Sequence, residues 1–189
     1  MTAGQRVTML DLDAARARAV QHGIPESMAE LSVFRIALHQ PVVAAALYGM
    51  LDALLLNGIL DARLRELIIM RIGWVTGSEY EWTQHWRVAL LLGVAEHDLL
   101  AVRDWQHADQ FGEIEHAVLA ATDETLQHGS ISDATWGRCR EALGHDPATM
   151  VELVAAIGNW RMFSILLRAL DVPLEDGVEG WPPDGAVPS

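Results

Sequence analysis

The amino-acid sequence predicts an all-α protein, a single-domain helical bundle. Three observations carry that prediction. No stretch alternates apolar and polar residues with β-branched enrichment between turn signals, so no strand is assigned. Apolar residues recur at helical spacing in segments closed by stop signatures such as His22-Gly23-Ile24-Pro25 and Asn57-Gly58. The central stretch Leu60 to Gly93 reads as two helices joined by a turn at Thr76-Gly77, and from Leu64 to Val75 the first is apolar on nearly every side, as a core helix is.

Taken in order, a first helix covers Asp11 to Gln21, a second runs from about Glu26 to Leu38, and Pro41 opens a third that ends near Leu56. Asp61 is the N-cap of the first helix in the central pair. Past Gly93, Val94-Ala95-Glu96 starts a short helix to about Trp105. A polar passage with His107 and Asp109 leads to another over Phe111 to His128, and Ser132 caps one that ends at Leu143. Asp146, with Pro147 at the first helical position, introduces a long apolar helix to about Leu170. From Asp171 the segment DVPLEDGVEGWPPDGAVPS has the Pro, Gly and acid content of a tail that does not pack alone, and Trp181 is expected to pin it to a neighbouring surface. The expected organisation is an N-terminal helix and turn (1–25), a helical domain (26–170) and a C-terminal tail (171–189).

A chain of 189 residues suffices for one domain with a proper core. Hydrophobic residues make up 51% of it and the mean hydropathy is +0.16, yet no run is expected to reach the ~20 apolar residues of a membrane span. The apolar surplus is therefore assigned to subunit interfaces, which predicts a homo-oligomer. The N-terminus lacks the apolar core of a secretory signal and carries acids that import peptides avoid, which predicts a cytoplasmic location. A net charge of −13 argues against nucleic acid and against anionic membrane as partners, because both call for a basic face; a small-molecule substrate remains. All thirteen basic residues are arginines, and Arg63, Arg65, Arg71 and Arg87 cluster in the central stretch. The single cysteine, Cys139, excludes an internal disulfide and any CxxC motif.

Glu66 is the one acid in the apolar run, and its helical neighbours Ala62, Ile69, Met70 and Gly73 turn its carboxylate toward protein. Beyond the turn, Ser78, Glu81 and His85 share one face of the second helix. Ser78 and Glu81 also fit a capping box, in which both serve the helix end and neither faces a ligand. His85, with Trp82 and Trp86 flanking it, lies within reach of Glu66. A carboxylate holding one ring nitrogen leaves the other free as general acid or base. The alternative for Glu66 is a structural buried ion pair with Arg63, Arg71 or Arg87. Tyr80 and Trp82 either wall a pocket or belong to the core. His39, ahead of the third helix, is a further candidate, whereas His97, His107, His116, His128 and His145 read as surface groups. His85 and Glu81 have no third ligand at recognisable spacing, so no metal is expected.

This spacing resembles the carboxymuconolactone decarboxylase and alkylhydroperoxidase D superfamily. Its redox branch carries Glu, eleven residues, Cys, two residues, Cys, three residues and His. Counted from Glu66, Ser78 stands at the first Cys, Glu81 at the second and His85 at the His, with Tyr80 where the hydroperoxidase branch has a further His. LRELIIMRIGWVTGSEYEWTQHWRVALLLGV looks like the thiol-free, decarboxylase-like branch, and IGNWRMFSILLRALDVPLED looks like the family's closing helix, so the likeness spans about Leu31 to Asp176.

The resemblance implies an alkylhydroperoxidase D-like bundle, assembly as a dimer, trimer or hexamer, and cofactor-free general acid/base chemistry on a small lactone, enol or carboxylate, by decarboxylation or isomerisation. On that reading His85, Glu66 and Glu81 are catalytic: His85 moves the proton and Glu66 orients it. Arg71 or Arg87 anchors a carboxylate, and Ser78, Tyr80 and Trp82 contact substrate. Loss of both thiols removes the route through thiolate and sulfenic acid. An antioxidant activity through Cys139 and a non-catalytic, small-molecule-binding oligomer are the alternatives.

Overall fold

The structure, a computed structural model, describes residues 6–188. All regular elements among the described residues are helical, and the chain groups into two compact units: Met1–Asn57 with Leu166–Glu179, and Gly58–Ile165 with Gly180–Ser189. These divisions fall elsewhere than the boundaries expected after residues 25 and 170.

In the first unit, α1 (Leu12–Gln21) begins at Asp11, whose carboxylate accepts from the Ala14 amide at 2.8 Å. The helix expected from Glu26 to Leu38 is in fact two pieces, a 3-10 turn (Glu26–Glu30) and α2 (Ser32–Ala37), with Leu31 extended between them. The physical reason is a tertiary hydrogen bond. The Ser32 amide donates to the Glu175 carboxylate at 2.9 Å, a partner remote in sequence that local pattern cannot anticipate. α3 (Pro41–Leu51) has the expected proline at its first turn and continues through a π-helical stretch (Asp52–Leu56) to Asn57. His39, the further candidate from the sequence, belongs to this unit, with Nε2 2.9 Å from the Thr8 carbonyl oxygen.

The second unit is built on α4 (Ala62–Thr76) and α5 (Glu79–Leu91). Asp61 caps α4 by accepting from the Leu64 amide at 3.0 Å, and Gly77 ends it in the left-handed region at φ 67°. The two helices approach closely, since a Cβ on Gly73 would lie 3.1 Å from the Trp82 backbone nitrogen. Around them lie α6 (Glu96–Ala101), a 3-10 turn (Val102–His107), α7 (Glu113–His128), α8 (Asp133–Ala142) and most of α9 (Pro147–Ala169). The run Leu67, Ile68, Ile69, Met70 and Ile72 is fully buried, as its apolar pattern requires.

One expectation needs correction. α9 has 23 residues and a mean hydropathy of 1.4 over its most apolar window, long and apolar enough by length and composition to cross a membrane. Half of that window is buried within the protein, and its buried Asn159, Trp160 and Ser164 include two that bond to α5, so α9 acts here as a core helix.

Residues 180–188 form a strap in the second unit. Trp181 is buried against Trp74 and Trp82, its amide donates to Thr83 Oγ1, and the Trp82 indole donates to the Pro182 carbonyl at 2.8 Å. Burying one large aromatic side chain stabilises by about 2–3 kcal/mol, which offsets the ordering of roughly two residues. The rest of the strap therefore depends on polar links. Chief among them is the Arg103 fork on Asp184, at 2.8 and 3.0 Å, with the Arg103 guanidinium stacked 4.6 Å from the Trp74 ring.

Candidate functional site

Glu66 is fully buried on α4. Its Oε2 lies 2.8 Å from His85 Nδ1 on α5, and Oε1 accepts from Arg65 Nε at 3.2 Å and faces Arg65 Nη2 at 3.1 Å. The carboxylate is thus satisfied by a cation on one oxygen and by imidazole on the other. The other ring nitrogen of His85 is also engaged. Trp160 Nε1 on α9 donates to His85 Nε2 at 3.1 Å, with the rings nearly perpendicular. Indole only donates, so Nε2 carries the lone pair and Nδ1 the hydrogen that Glu66 receives. The expectation that Nε2 is free is therefore corrected. The His85 side chain is 13% exposed, so one edge of the ring reaches the surface of this chain.

One turn back along α5, Glu81 is 2% exposed. Its Oε2 accepts from Ser164 Oγ at 2.6 Å, while Oε1 has no hydrogen-bond partner. Burial, only partly opposed by the Ser164 hydrogen bond, pushes its pKa well above the ordinary carboxylate range and so favours the neutral carboxyl. Ser164 Oγ in turn lies 3.2 Å from Thr76 Oγ1, which donates to the Ile72 carbonyl at 2.7 Å. The capping-box alternative does not hold. Ser78 makes no side-chain cap, its hydroxyl is buried without a partner, and Glu81 turns toward α9 instead of the helix end. Both amide atoms of Asn159 on α9 are likewise buried and unpartnered.

Other candidates are placed elsewhere. Arg71 forks onto Asp123 at 2.7 and 2.8 Å and donates to the Val102 and Arg103 carbonyls, so it is a structural clamp and not a carboxylate anchor. Arg87 is exposed and lies two residues from His85, on the opposite side of α5. Arg63 bridges Asp98 and Glu115. The partner of Glu66 is thus Arg65 and none of the three arginines expected. Trp82 is buried among Trp74, Trp86 and Trp181, where it anchors the strap, and Tyr80 is buried in the first turn of α5. Cys139 is buried, donates to the Ala117 carbonyl, and has its thiol pKa pushed up to about 11 by burial, which Arg138 only partly opposes. Such a thiol supplies little thiolate. A surface cleft of about 570 Å³ lined by Phe111, His116 and Arg138 contains none of the expected site residues. Among the described residues no three His, Cys, Asp or Glu side chains converge to hold a metal ion.

Trp160 and Ser164 escaped the sequence reading, and Arg65 was read only as one of an arginine cluster, not as the partner of Glu66. Two adjacent charges inside an otherwise apolar helix were a usable signal for Arg65. For Trp160 and Ser164 the four-residue spacing marks one face of α9, without saying which helix that face meets.

Comparison with known proteins fits this geometry. Residues 41–124 match the carboxymuconolactone decarboxylase family. The matched segment contains Glu66, Ser78, Glu81 and His85, and the helical fold is similar to alkylhydroperoxidase D-like structures. No curated protein sequence matches it. An uncharacterised peroxidase-related protein from Ralstonia eutropha with an alkylhydroperoxidase D core superposes with TM-score 0.73 at 18% identity, over 91% of this chain and 93% of that one. The debrominase Bmp8 in complex with 2,3,4-tribromopyrrole gives 0.70 at 18% identity, over 93% and 95%. A putative antioxidant defence protein from Agrobacterium tumefaciens gives 0.67 at 18% identity, over 73% and 94%. At such identities these neighbours speak for the fold alone.

Proposed function

We propose that this protein is a cofactor-free general acid/base enzyme that moves protons on a small enol or lactone. The observation that carries the reading is the fully buried Glu66 carboxylate, paired with Arg65 and set 2.8 Å from His85 Nδ1. It fixes the imidazole with a lone pair at Nε2 and stands ready to balance the imidazolium that forms on proton uptake. Glu81 supplies the complementary acid, because burial raises its pKa well above the ordinary carboxylate range while the Glu66 side chain faces Arg65.

In the proposed reaction His85 Nε2 takes the O–H proton of an enol while Glu81 delivers one to carbon. The ketone forms, an imidazolium lies beside Glu66, and the Glu81 carboxylate accepts from Ser164. Exchange with solvent returns a proton to Glu81 and removes one from His85. Isomerisation is favoured over decarboxylation because none of the four central arginines offers its guanidinium beside His85: Arg63, Arg65 and Arg71 are committed to carboxylates, and Arg87 lies on the far side of α5. Peroxidase chemistry is disfavoured by the absence of both motif thiols and by the buried, raised thiol of Cys139. The cytoplasmic location and the homo-oligomer are carried forward as proposals. The exposed apolar row Val151, Val154, Met162 and Ile165 on α9 supports the second.

A non-catalytic reading draws on the saturation of both His85 nitrogens, which makes the trio a structural staple. Deuterium exchange separates the two. With the enol form of α-keto-γ-butyrolactone in D2O, the wild-type protein should exchange the vinylic hydrogen at least about a hundredfold faster than buffer, and His85→Ala should lose that gain. Exchange at the buffer rate by the wild type would leave only the staple.

A further inference from the structure

The Trp160 and His85 contact joins a group that only donates to a nitrogen that only accepts. Indole has no lone pair to offer, and with Nδ1–H committed to Glu66 the imidazole has only a lone pair at Nε2. A ligand atom entering between them must accept from Trp160 and donate to His85. We infer that this pair is a recognition dyad for a single hydroxyl or enol oxygen on the ligand, a specificity that rests on the enol or lactone reading above and narrows it. A hydroxyl meets both demands with one atom. A carboxylate or a lactone carbonyl only accepts and would set its lone pairs against Nε2, and an ammonium only donates.

The geometry of entry is modest. Two hydrogen bonds of ~2.8 Å meeting at one oxygen hold their outer atoms about 4.6 Å apart. The nitrogens now stand 3.1 Å apart, so the pair must open by about 1.5 Å. The same helices carry further unpartnered polar atoms. Ser78 Oγ just before α5, Glu81 Oε1 one turn before His85, and the Asn159 amide next to Trp160 in sequence are buried and unpartnered. An unpaired buried polar atom is costly, and a ligand oxygen that satisfies one recovers that cost. Trp160 is therefore a binding residue that selects the reacting group, and its bond to His85 is the one the ligand replaces.

Binding of α-hydroxy-γ-butyrolactone and of γ-butyrolactone to the full chain tests this, because the two differ only in the hydroxyl. The wild type should bind the hydroxylactone about tenfold more tightly or better. Trp160→Phe, which keeps an aromatic ring but loses the N–H, should bring the two affinities within about twofold of each other. The hydroxylactone should also shift the Nε2 resonance of ¹⁵N-labelled His85 in the wild type, and the plain lactone should not. Should Trp160→Phe fail to fold, the wild-type affinity ratio and the His85 shift decide. Equal affinities in the wild type, a preference that survives in folded Trp160→Phe, or no binding of either lactone overturns the inference. Hydroxyl-selective binding with no proton exchange would sink the catalytic reading alone, and exchange without that selectivity would sink the dyad alone.

Discussion

Glu66 holds His85 across the α4 and α5 pair, one carboxylate oxygen 2.8 Å from Nδ1 and the other facing Arg65. The site therefore depends on a charge buried in an apolar helix. Breaking one partner of a buried ion pair costs more than the pair itself contributes, because the surviving charge stays desolvated. Glu66→Gln retains the shape but removes the buried charge that faces Arg65 and His85, so it should lower stability by about 3 kcal/mol in urea denaturation. A change within experimental error would contradict a stabilising role for the Glu66 charge.

Glu81 makes the opposite prediction. Burial raises its folded-state pKa, so its contribution to stability is complete below the ordinary carboxylate value of ~4.3 and is lost as pH rises through the folded value. The unfolded chain ionises this group across that window and the folded chain does not. Stability of the wild type should accordingly fall between about pH 5 and about pH 8 by more than that of Glu81→Gln. Urea midpoints of both proteins at the two pH values measure the difference, and parallel curves would contradict it.

Gly73 tests the close approach that sets the distance between Glu66 and His85. Alanine gains about 1 kcal/mol of helix propensity over glycine. Against this, its Cβ would lie 3.1 Å from the backbone nitrogen and 3.4 Å from the Cα of Trp82, atoms that move only with the start of α5. Overpacking of this kind costs about 1–3 kcal/mol, so Gly73→Ala should be net destabilising and should lower the melting temperature. A raised melting temperature would show that the helices separate easily.

The strap gives a fourth test. Hydrogen bonds from Arg103, then from the Ala186 amide, hold the Asp184 carboxyl well below its ordinary range. With a lowered folded-state pKa, the clamp is at full strength above the ordinary value of ~3.9 and weakens only as pH falls through the folded value. Asp184→Asn should shift tryptophan emission to the red at neutral pH, as Trp181 loosens from Trp74 and Trp82, and should speed proteolysis within residues 180–188. An unchanged spectrum would mean that Trp181 burial suffices alone.

Much of this was legible in the chain. Gly77, Asp61 and Asp146 punctuated helices by local chemistry, and the apolar run around Glu66 declared its burial. The frame from Glu66 through Ser78 and Glu81 to His85 put Glu66 on α4 and Glu81 and His85 on α5, as the two-helix reading expects. What failed to show were contacts made at long range. Leu31 breaks a helix because Glu175 captures the Ser32 amide, and Nε2 of His85 is covered because Trp160 arrives from α9. Ser78 and Glu81 satisfied a local capping pattern, yet the Ser164 hydroxyl from α9 drew Glu81 inward. Arg71 looked available because its partner Asp123 lies on another helix, in a stretch with no distinguishing pattern.

The central claim is that Glu66 keeps His85 as the Nδ1–H tautomer with a lone pair at Nε2. Long-range ¹H–¹⁵N spectra of histidine-labelled protein at neutral pH, with the His85 signals assigned through His85→Ala, measure that state directly. The account predicts a protonated Nδ1 and a bare Nε2 in the wild type, and loss of that signature in Glu66→Gln. A proton resident on Nε2 in the resting protein would contradict it.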